Sequence, residues 1–410
     1  MLGAGLAGLA GSSALVAGCD AEEQPPEPTT APADAPFDPL DWDSVRAQFP
    51  LDPTLAQLAA FVLSPHTRPL EEAIAGHRER LGVDTETALF EGLRLEDEVR
   101  TAAAAYAGGV AGQYALTEST TMGIASMYGG LALRPDDEVL TTTHDFFATE
   151  ESLRLLRLRT GARVNMVPVY DDPEAATIDE ITARLAAAAT PRTRVVAVTW
   201  VHSSTGVRLP IPEIREAVGP DVVLCVDGVH GFAAVDTDLD QLGCDYLAAG
   251  THKWLFGPRG TGILWARDWT PLTEIIPSFS GPQDGGRLTP GGYHTFEHRW
   301  ALADAFAFQQ SIGRDRAVER TTSQATQLKE GLAAIDGIRV VTPLDPELSA
   351  GIVCLDVPGL LPYNAVLELR ERGIVASATP YDTSYLRLGP SIVTTPEQVA
   401  ETVAAVAELA

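Results

Sequence analysis

The chain has 410 residues, of which 45% are hydrophobic, so it is long and apolar enough to form a large core and more than one domain. Its formal net charge is −27, with 29 Lys and Arg against 56 Asp and Glu, which argues against general binding to nucleic acid or to anionic lipid heads. A diffuse excess of acid is more often a solubility feature than a binding surface.

The first 38 residues differ in composition from the rest. Residues 1–17 are small or apolar and uncharged, and Gly18-Cys19 is followed by a segment rich in proline and acid. This order predicts an export signal with a lipobox over 1–19 and a disordered tether over 20–38. We therefore expect an exported lipoprotein of the cell envelope, linked to the membrane through a lipid anchor at Cys19. The alternatives are an unstructured tail of small residues and a cytoplasmic protein.

The middle of the chain alternates between strand-like and helix-like patterns. After an N-terminal segment over 39–75, with a helix predicted over 41–49, a large domain is predicted over 76–312. Its strand-like runs are 164–169, 194–201, 222–226, 246–249 and 262–265, and helix-like stretches such as 178–189 lie between several of them. This alternation predicts an α/β fold with a mostly parallel sheet, whose ligands collect at the carboxyl ends of its strands.

The last part of the chain has a different pattern. A long polar helix over 316–334 leads to strand-like runs over 338–341, 351–357 and 385–388, which predicts a smaller α+β C-terminal domain over 313–410. Cys225, Cys244 and Cys354 lie in or beside apolar runs and are predicted to be buried. Their spacing fits neither a zinc site nor a disulfide framework.

Lys253 lies in the apolar, glycine-rich stretch G-T-H-K-W-L-F-G-P-R-G-T-G (250–262). An ammonium near buried surface is costly unless its nitrogen is bonded to something else. Another apolar strand ends at Asp227, where a carboxylate faces the ligand crevice. Pyridoxal phosphate requires both groups, a lysine for a Schiff base and an acid that protonates the ring nitrogen, and the freed amine then serves as general base. Taken alone, the pair also fits a structural salt bridge.

Three segments carry a resemblance to a known family. They are V-D-G-V-H-G (226–231), the lysine stretch 250–262, and S-Y-L-R-L-G-P-S-I-V-T-T-P-E-Q-V (384–399). Together they resemble the class V aminotransferase family of fold-type I pyridoxal phosphate enzymes, over roughly residues 41–410. The family includes cysteine desulfurases, selenocysteine lyases and isopenicillin N epimerases. The resemblance implies a seven-stranded, mostly parallel sheet, pyridoxal 5′-phosphate as cofactor, an amino-acid-like substrate and a homodimer.

The resemblance also assigns cofactor roles. Lys253 takes the Schiff-base position, Asp227 pairs with the ring nitrogen, and His230 bonds the phenolic oxygen, so these three are the predicted catalytic residues. Thr120 and Thr121 match the phosphate-binding turn at a helix start, where amides and hydroxyls favour a dianion. A plain N-cap without phosphate is the alternative for the two threonines.

Five further cofactor contacts are predicted around these residues. Thr251 and His252, beside the lysine, are donors suited to a phosphate. The residue that stacks on the cofactor ring is best matched by Phe146, with His144 as second choice, and a phenyl ring stacks but cannot exchange a proton. Equal-length alignment places Ser203 where a polar side chain bonds the phenolic oxygen, although desulfurases often carry Asn there.

The substrate contacts are predicted from the same resemblance. Arg387 matches the arginine that holds the substrate α-carboxylate, and a guanidinium fork suits that anion. A structural ion pair is the alternative for Arg387. His202 is either a substrate contact or a satisfied core histidine. Two segments that depart from the family's pattern add Ser64 and His66 as candidates for a substrate pocket, and Arg299 as a candidate for a phosphate contact across a dimer interface.

The absence of one cysteine reduces the number of reactions that the family resemblance leaves open. Desulfurases of the family carry a cysteine shortly before the substrate arginine, and V-A-S-A-T-P-Y-D-T-S-Y-L-R (375–387) contains none. We therefore expect a protein that is not a persulfide-forming desulfurase. Epimerisation, C–S cleavage and transamination stay open, and the opening stretch 41–53 resembles the epimerase and sulfoxide-lyase branch. A non-catalytic cofactor-binding surface protein is the remaining alternative, which the set of Lys253, Asp227 and Arg387 argues against.

Overall fold

The computed structural model describes residues 36–281 and 283–410. The predicted signal and lipobox over 1–19, with the anchor at Cys19, and most of the predicted tether over 20–38 lie outside the described residues. Within the described ranges, none of the helices combines the length and apolarity that a transmembrane span requires.

The helices start where the sequence provides caps. The side chain of Thr67 accepts a hydrogen bond from the amide of Leu70, and Thr395 forms a capping box with Gln398. The helices are α1 (Trp42–Ala47), α2 (Arg68–Val83), α3 (Thr85–Ala107), α4 (Thr120–Gly130), α5 (Phe147–Thr160), α6 (Ile178–Ala188), α7 (Ile211–Val218), α8 (Asp284–Leu288), α9 (Phe296–Ile312), α10 (Arg314–Ala333), α11 (Pro362–Glu371) and α12 (Pro396–Ala407).

Among the described residues, the strands form three sheets. They are β1 (Ala56–Gln57), β2 (Tyr114–Thr117), β3 (Glu138–Thr142), β4 (Arg163–Val167), β5 (Thr193–Thr199), β6 (Val223–Asp227), β7 (Tyr246–Gly250), β8 (Gly262–Ala266), β9 (Arg339–Val340), β10 (Val353–Asp356), β11 (Ile374–Val375), β12 (Ser377–Ala378) and β13 (Leu386–Leu388). The largest sheet has seven strands in the order β2-β8-β7-β6-β5-β3-β4. In it β8 runs antiparallel to β2 and β7, and the other pairs are parallel.

Both faces of the seven-stranded sheet are covered. Val196 and Val226 belong to one apolar cluster, while Val195 and Cys225 belong to a second cluster on the opposite face. Successive side chains of a strand point to opposite faces, so a strand covered on both sides needs an unbroken apolar run, which is what β5 and β6 have. Their carboxyl ends lie side by side, with Thr199 opposite Asp227.

The C-terminal part is built on a four-stranded antiparallel sheet in the order β12-β13-β10-β9. A separate core, which includes Leu328 of α10 and Val399 of α12, packs against it. Gly313 separates α9 from α10 with φ of 92°, a left-handed conformation that favours glycine, and it lies at the predicted start of the small domain. Strand β1 pairs in parallel with β11, so the N-terminal segment is tied to this part. The two sheets confirm the predicted α/β fold class.

Candidate active site

Lys253 lies in the tight loop that joins β7 to β8. The amide of Phe256 donates to the carbonyl of Lys253 at 3.0 Å, and the amide of Gly257 donates to the carbonyl of Thr251 at 2.8 Å. Phe256 has φ of 60°, a left-handed conformation that a bulky side chain rarely adopts and that persists only when the surroundings enforce it. The loop thus holds the lysine at a fixed place near the edge where the parallel strands end.

The Lys253 amine has one close polar neighbour. Its Nζ lies 3.0 Å from Nε2 of His230, and Nδ1 of His230 has no hydrogen-bond partner in the described part of the chain. Burial lowers the pKa of Lys253 to about 8, with the charge of Asp227 opposing the shift and that of Arg387 adding to it. Burial also holds the pKa of His230 well below its usual value, so the imidazole is neutral beside the amine.

Asp227 ends β6 within the same site. It is fully buried apart from 1% of its surface, and Oδ1 accepts a hydrogen bond from the amide of Val229 at 3.1 Å. Burial raises the pKa of this carboxyl to about 6, against the opposing effects of the Val229 amide and the nearby lysine. The end of β6, the carboxylate of Asp227 and the side chain of His230 therefore lie within one short stretch of the chain, which is the motif 226–231.

One cavity of about 200 Å³ brings six of the predicted residues together. Its lining consists of Phe61, Val62, Phe146, Thr199, Ser203, Asp227, Val229, His230, Lys253, Pro380 and Arg387. Phe61 and Val62 come from the N-terminal segment, whereas Ser64 and His66, the predicted candidates for a substrate pocket in that segment, do not line this cavity. The hydroxyl of Ser64 donates to the backbone carbonyl of His252 and Nδ1 of His66 bonds Glu71, so a substrate contact of these two residues stays a prediction.

Arg387 reaches the cavity from β13. Nη1 donates to the carbonyl of Ser203 at 3.1 Å, Nη2 donates to the hydroxyl of Ser377 at 2.9 Å, and the guanidinium lies 5.0 Å from the ring centre of Phe61. Nε is buried without a hydrogen-bond partner. No carboxylate among residues 36–281 and 283–410 forms an ion pair with this guanidinium. A buried cation without a counter-charge is costly, so the arrangement suits an anionic ligand better than the alternative of a structural ion pair.

Ser203 connects the two parts of the fold. Its hydroxyl lies 2.5 Å from that of Tyr381, which belongs to the loop between β12 and β13. Burial raises the pKa of Tyr381 to about 12, so the phenol stays protonated near neutral pH. Ser203 therefore lines the cavity with a hydroxyl that is hydrogen-bonded to Tyr381, and its bond to the phenolic oxygen stays a prediction.

A second set of predicted residues lies at the start of α4. The hydroxyl of Thr120 accepts a hydrogen bond from the amide of Gly250 at 2.8 Å, and Thr121 follows, exposed, in the first helical turn. A side-chain carbon on Gly250 would lie 2.7 Å from the ring of His252 and 2.8 Å from the Thr120 hydroxyl, so glycine is what allows these groups to converge. The first amides of a helix lack intrahelical partners, and they suit an anion.

Thr251 does not belong to that set. The residue is fully buried, and its hydroxyl donates to the carbonyl of Thr261 at 3.2 Å and contacts the Thr261 hydroxyl at 2.5 Å. Its single proton is engaged within the loop, so these hydrogen bonds do not favour the predicted phosphate contact of Thr251. Thr251 instead holds the two ends of the lysine loop together.

Two histidines also lie away from the Lys253 cavity. His202 is fully buried, and its Nδ1 lies 2.9 Å from the hydroxyl of Tyr170. His144 stacks on the ring of Tyr170 at 4.2 Å, whereas Phe146 lines the cavity. The structure thus favours Phe146 over His144 for ring stacking. His202 does not line the Lys253 cavity, and its Nε2 has no hydrogen-bond partner within the described ranges, so its substrate contact stays a prediction. Tyr170, which no motif pointed to, holds both histidines in place.

Arg299 is likewise engaged elsewhere. It is buried, and it pairs with Glu96 at 3.0 Å and with Glu118 at 2.6 Å. Because two carboxylates already neutralise this guanidinium, the expected phosphate contact of Arg299 across a dimer interface is not supported. The pairs link α9 to α3 and to the segment before α4, which makes Arg299 a support of the fold.

The residues fit pyridoxal phosphate as a bound group. An amine of lowered pKa and a buried carboxylate share one cavity, a phenyl ring lines it, and His230 Nδ1 and Arg387 Nε are buried polar atoms without partners in the described ranges. The start of α4, with Thr120 and His252, supplies donors for an anion. Lys253 would hold the aldehyde carbon, Asp227 the ring nitrogen, and the helix start the phosphate.

Comparison with known proteins agrees with this fit. The family model for class V aminotransferases matches residues 97–380, more than half of the chain. Isopenicillin N epimerase from Streptomyces clavuligerus is 27% identical, over 88% of this chain and 96% of that protein, and a probable cysteine desulfurase from Xylella fastidiosa is 26% identical, over 75% and 78%. The solved structure of a C-DES mutant with glycine covalently linked to its cofactor has a TM-score of 0.81 at 21% identity, over 88% of this chain and 99% of that one.

The similarity to solved structures establishes the fold. The family match establishes the cofactor and shows that the chain is an enzyme. The expected fold-type I architecture is thereby confirmed. The chain belongs to the class V aminotransferase family and is a pyridoxal 5′-phosphate-dependent enzyme.

Proposed function

We propose that this enzyme acts at Cα or Cβ of an amino-acid-like substrate, as an epimerase or a C–S lyase, with transamination as the second candidate. The observation that carries the proposal is the buried guanidinium of Arg387, which lines the same cavity as Lys253 and has no carboxylate partner in the described part of the chain. An amino acid whose α-carboxylate binds Arg387 and whose α-amino group faces Lys253 has its Cα between these two side chains.

Each cavity residue has a distinct task in this proposal. Bound pyridoxal phosphate supplies the electron sink for the pair left when a bond to the substrate Cα breaks. Asp227 holds a proton at the ring nitrogen, and Lys253, whose pKa is lowered to about 8, removes and returns a proton at Cα. Phe146 lines one side of the cavity, and it leaves proton transfer to Lys253 because a phenyl ring cannot exchange protons.

The preference for the epimerase or lyase branch rests on similarity and on the cysteines. Isopenicillin N epimerases are among the relatives with the longest shared span. Cys225, Cys244 and Cys354 are fully buried, and burial raises the pKa of each thiol. A thiol that stays protonated and away from solvent is a poor sulfur acceptor. We therefore propose that the enzyme does not form a protein persulfide.

The test is a screen of the holoenzyme against sulfur-containing and plain L-amino acids. The cofactor absorption band reports binding, chiral chromatography reports epimerisation, and sulfide, pyruvate and oxo-acid assays report cleavage and transamination. We expect racemisation or C–S cleavage, with none in a Lys253→Ala variant. Rapid persulfide on any of the three cysteines would contradict the exclusion of desulfurase activity, and a band that no amino acid perturbs would contradict the enzyme proposal.

We also propose that the enzyme is a homodimer, as its family resemblance implies. A groove beside α3 is lined by Leu93, Phe279 and Tyr293, all of which are exposed, and Tyr293 is 86% exposed. Phe90, which also lies on α3, is 87% exposed. Exposed aromatic residues grouped in this way are typical of interfaces. Light scattering after size exclusion is expected to give twice the chain mass, and a monomer that keeps full activity would refute this proposal.

For localisation, we propose export and lipid anchoring at Cys19. The support is the order of small apolar residues, cysteine and proline-rich segment in the sequence. Cell fractionation with mass spectrometry of the mature N-terminus tests it. An acylated Cys19 in the membrane fraction is expected, and an unacylated cytosolic protein would reject it.

A further inference from the structure

A second, larger cavity of about 710 Å³ adjoins the Lys253 cavity. The two share Phe146 and Pro380 in their walls, and Tyr381, which is hydrogen-bonded to Ser203 of the first cavity, lines the second. One wall comes from residues 143–150 and the other from residues 380–385, the loop between β12 and β13. The two cavities thus lie on either side of the same wall residues, which makes the second one the candidate for the far end of a substrate whose α-carboxylate lies at Arg387.

The charged residues that line the second cavity are acidic. Carboxylates of Asp145, Glu150, Asp171 and Asp382 line it, and no lysine or arginine does so within the described residues. Asp171 is neutralised by Arg184, at 2.7 Å, and Asp145 is buried among hydroxyl donors. The carboxylates of Glu150 and Asp382 form neither a hydrogen bond nor an ion pair with any residue that the structure describes.

Two other features of the cavity point to a ligand. Ser204 is 8% exposed, and its hydroxyl has no hydrogen-bond partner among the described residues although the side chain lines the cavity. A buried hydroxyl left unpaired is unfavourable, so a ligand group or a water is expected to contact it. Phe147 lines the same cavity with 66% of its surface exposed, next to Phe146 and Tyr381. Ring faces of this kind attract cations.

We infer that the second cavity binds the distal end of the substrate and selects for positive charge there. The substrate class is an amino acid whose α-carboxylate binds Arg387 and whose far end carries an ammonium, guanidinium or quaternary ammonium group, stabilised by Glu150, Asp382 and the aromatic rings. An anionic distal group meets two uncompensated carboxylates and is disfavoured. This inference rests on the proposed function, because it places an amino acid in the Lys253 cavity.

The experiment compares three ligands of equal carbon number on the holoenzyme. L-lysine, L-norleucine and L-2-aminoadipate carry a cationic, a neutral and an anionic distal end, and titration of the cofactor absorption band gives a Kd for each. We expect L-lysine to bind about three- to tenfold tighter than L-norleucine at low salt, the effect of one or two partly solvated ion pairs, and L-2-aminoadipate to bind weakest. The preference should shrink as the salt concentration rises.

A double variant, Glu150→Gln with Asp382→Asn, is expected to bring the ratio of the L-norleucine Kd to the L-lysine Kd close to one. Glu151→Gln is the matched control, because Glu151 follows Glu150 on α5 but pairs with Arg154 and lies outside the cavity lining. Equal Kd values for L-lysine and L-norleucine, or a preference that the double variant retains, would overturn the inference and leave the proposed function standing. A cofactor band that no amino acid changes would overturn both.

Discussion

The amine of Lys253 lies 3.0 Å from Nε2 of His230, and this contact distinguishes the two lysines of the chain. Lys329, the other one, is also buried, but its Nζ donates to two carbonyls and to the hydroxyl of Ser349. All of its protons have acceptors, so it serves the packing of the small domain. Lys253 has a single neutral neighbour and a cavity beside it, which leaves its nitrogen free to bind a carbonyl carbon.

The lowered pKa of Lys253 predicts how the apoenzyme takes up its cofactor. The neutral amine is the nucleophile, and with a pKa of about 8 instead of 10.5 its neutral fraction rises through pH 8. We expect the loading rate, followed by absorption from about pH 6 to about pH 10, to level off above about pH 8. The charge of Asp227 raises this pKa, so Asp227→Asn should move the midpoint to lower pH. A midpoint near 10.5 would contradict the environment described for Lys253.

Asp227 is expected to matter more for turnover than for loading. Asp227→Asn keeps the shape of the side chain but removes the charge that holds a proton on the ring nitrogen, so kcat should fall about 10²- to 10³-fold. Absorption of the purified variant should still report a bound cofactor, because Lys253 is intact. Asp236→Asn is a suitable control, since Asp236 pairs with Arg314 away from the cavity. A kcat within about twofold of the parent enzyme would refute the role of Asp227.

Arg387 is expected to govern substrate affinity. In Arg387→Lys the fork that matches a carboxylate is replaced by a single ammonium, and KM should rise about 10- to 100-fold with little change in cofactor content. Amines that lack the α-carboxylate should bind the parent and the variant equally, which separates lost recognition from a distorted cavity. Arg372→Lys, at an exposed arginine on the surface, provides the control. Equal losses for amines and amino acids would contradict the assignment.

Asp145 is expected to stabilise the strand ends around the site. Its carboxylate accepts hydrogen bonds from the hydroxyls of Thr141, Thr142 and Thr199 and from the amide of Thr142, although burial raises its pKa. Asp145→Ala leaves several buried donors unpaired, and the free energy of unfolding of the apoenzyme should fall by about 2–4 kcal/mol in urea titrations. Asp145→Asn, which keeps part of the network, should lose less. Equal stability of all three proteins would argue against this role.

Much of the fold could be predicted because both faces of the central strands are covered. β5 and β6 read as unbroken apolar runs, and the motifs that end at Asp227 and surround Lys253 lie next to one another on the chain. The positions of Asp227 and Lys253 in the fold could therefore be predicted from the residues next to them in the chain. The predicted strands 164–169 and 194–201 ran two residues too far at their carboxyl ends, where the chain leaves the sheet for loops.

The parts that sequence did not reveal depend on distant contacts. Tyr381 meets Ser203 across 178 residues, and Phe61 reaches the cavity from the N-terminal segment. His202 lies in a loop, and its Nδ1 is 2.9 Å from the hydroxyl of Tyr170, a residue 32 positions earlier in the chain. The Thr251 hydroxyl looked available for a phosphate until the return of the loop placed Thr261 against it.

The central claim is that Lys253 is the residue that binds the cofactor covalently. Reduction of the holoenzyme with borohydride, followed by proteolysis and mass spectrometry of the peptides, tests it directly, and the presence of only two lysines makes the assignment unambiguous. We expect the pyridoxyl mass on the peptide that contains Lys253 and none on the peptide that contains Lys329. A label on Lys329, or unlabelled Lys253 in protein that retains the cofactor absorption band, would contradict the account.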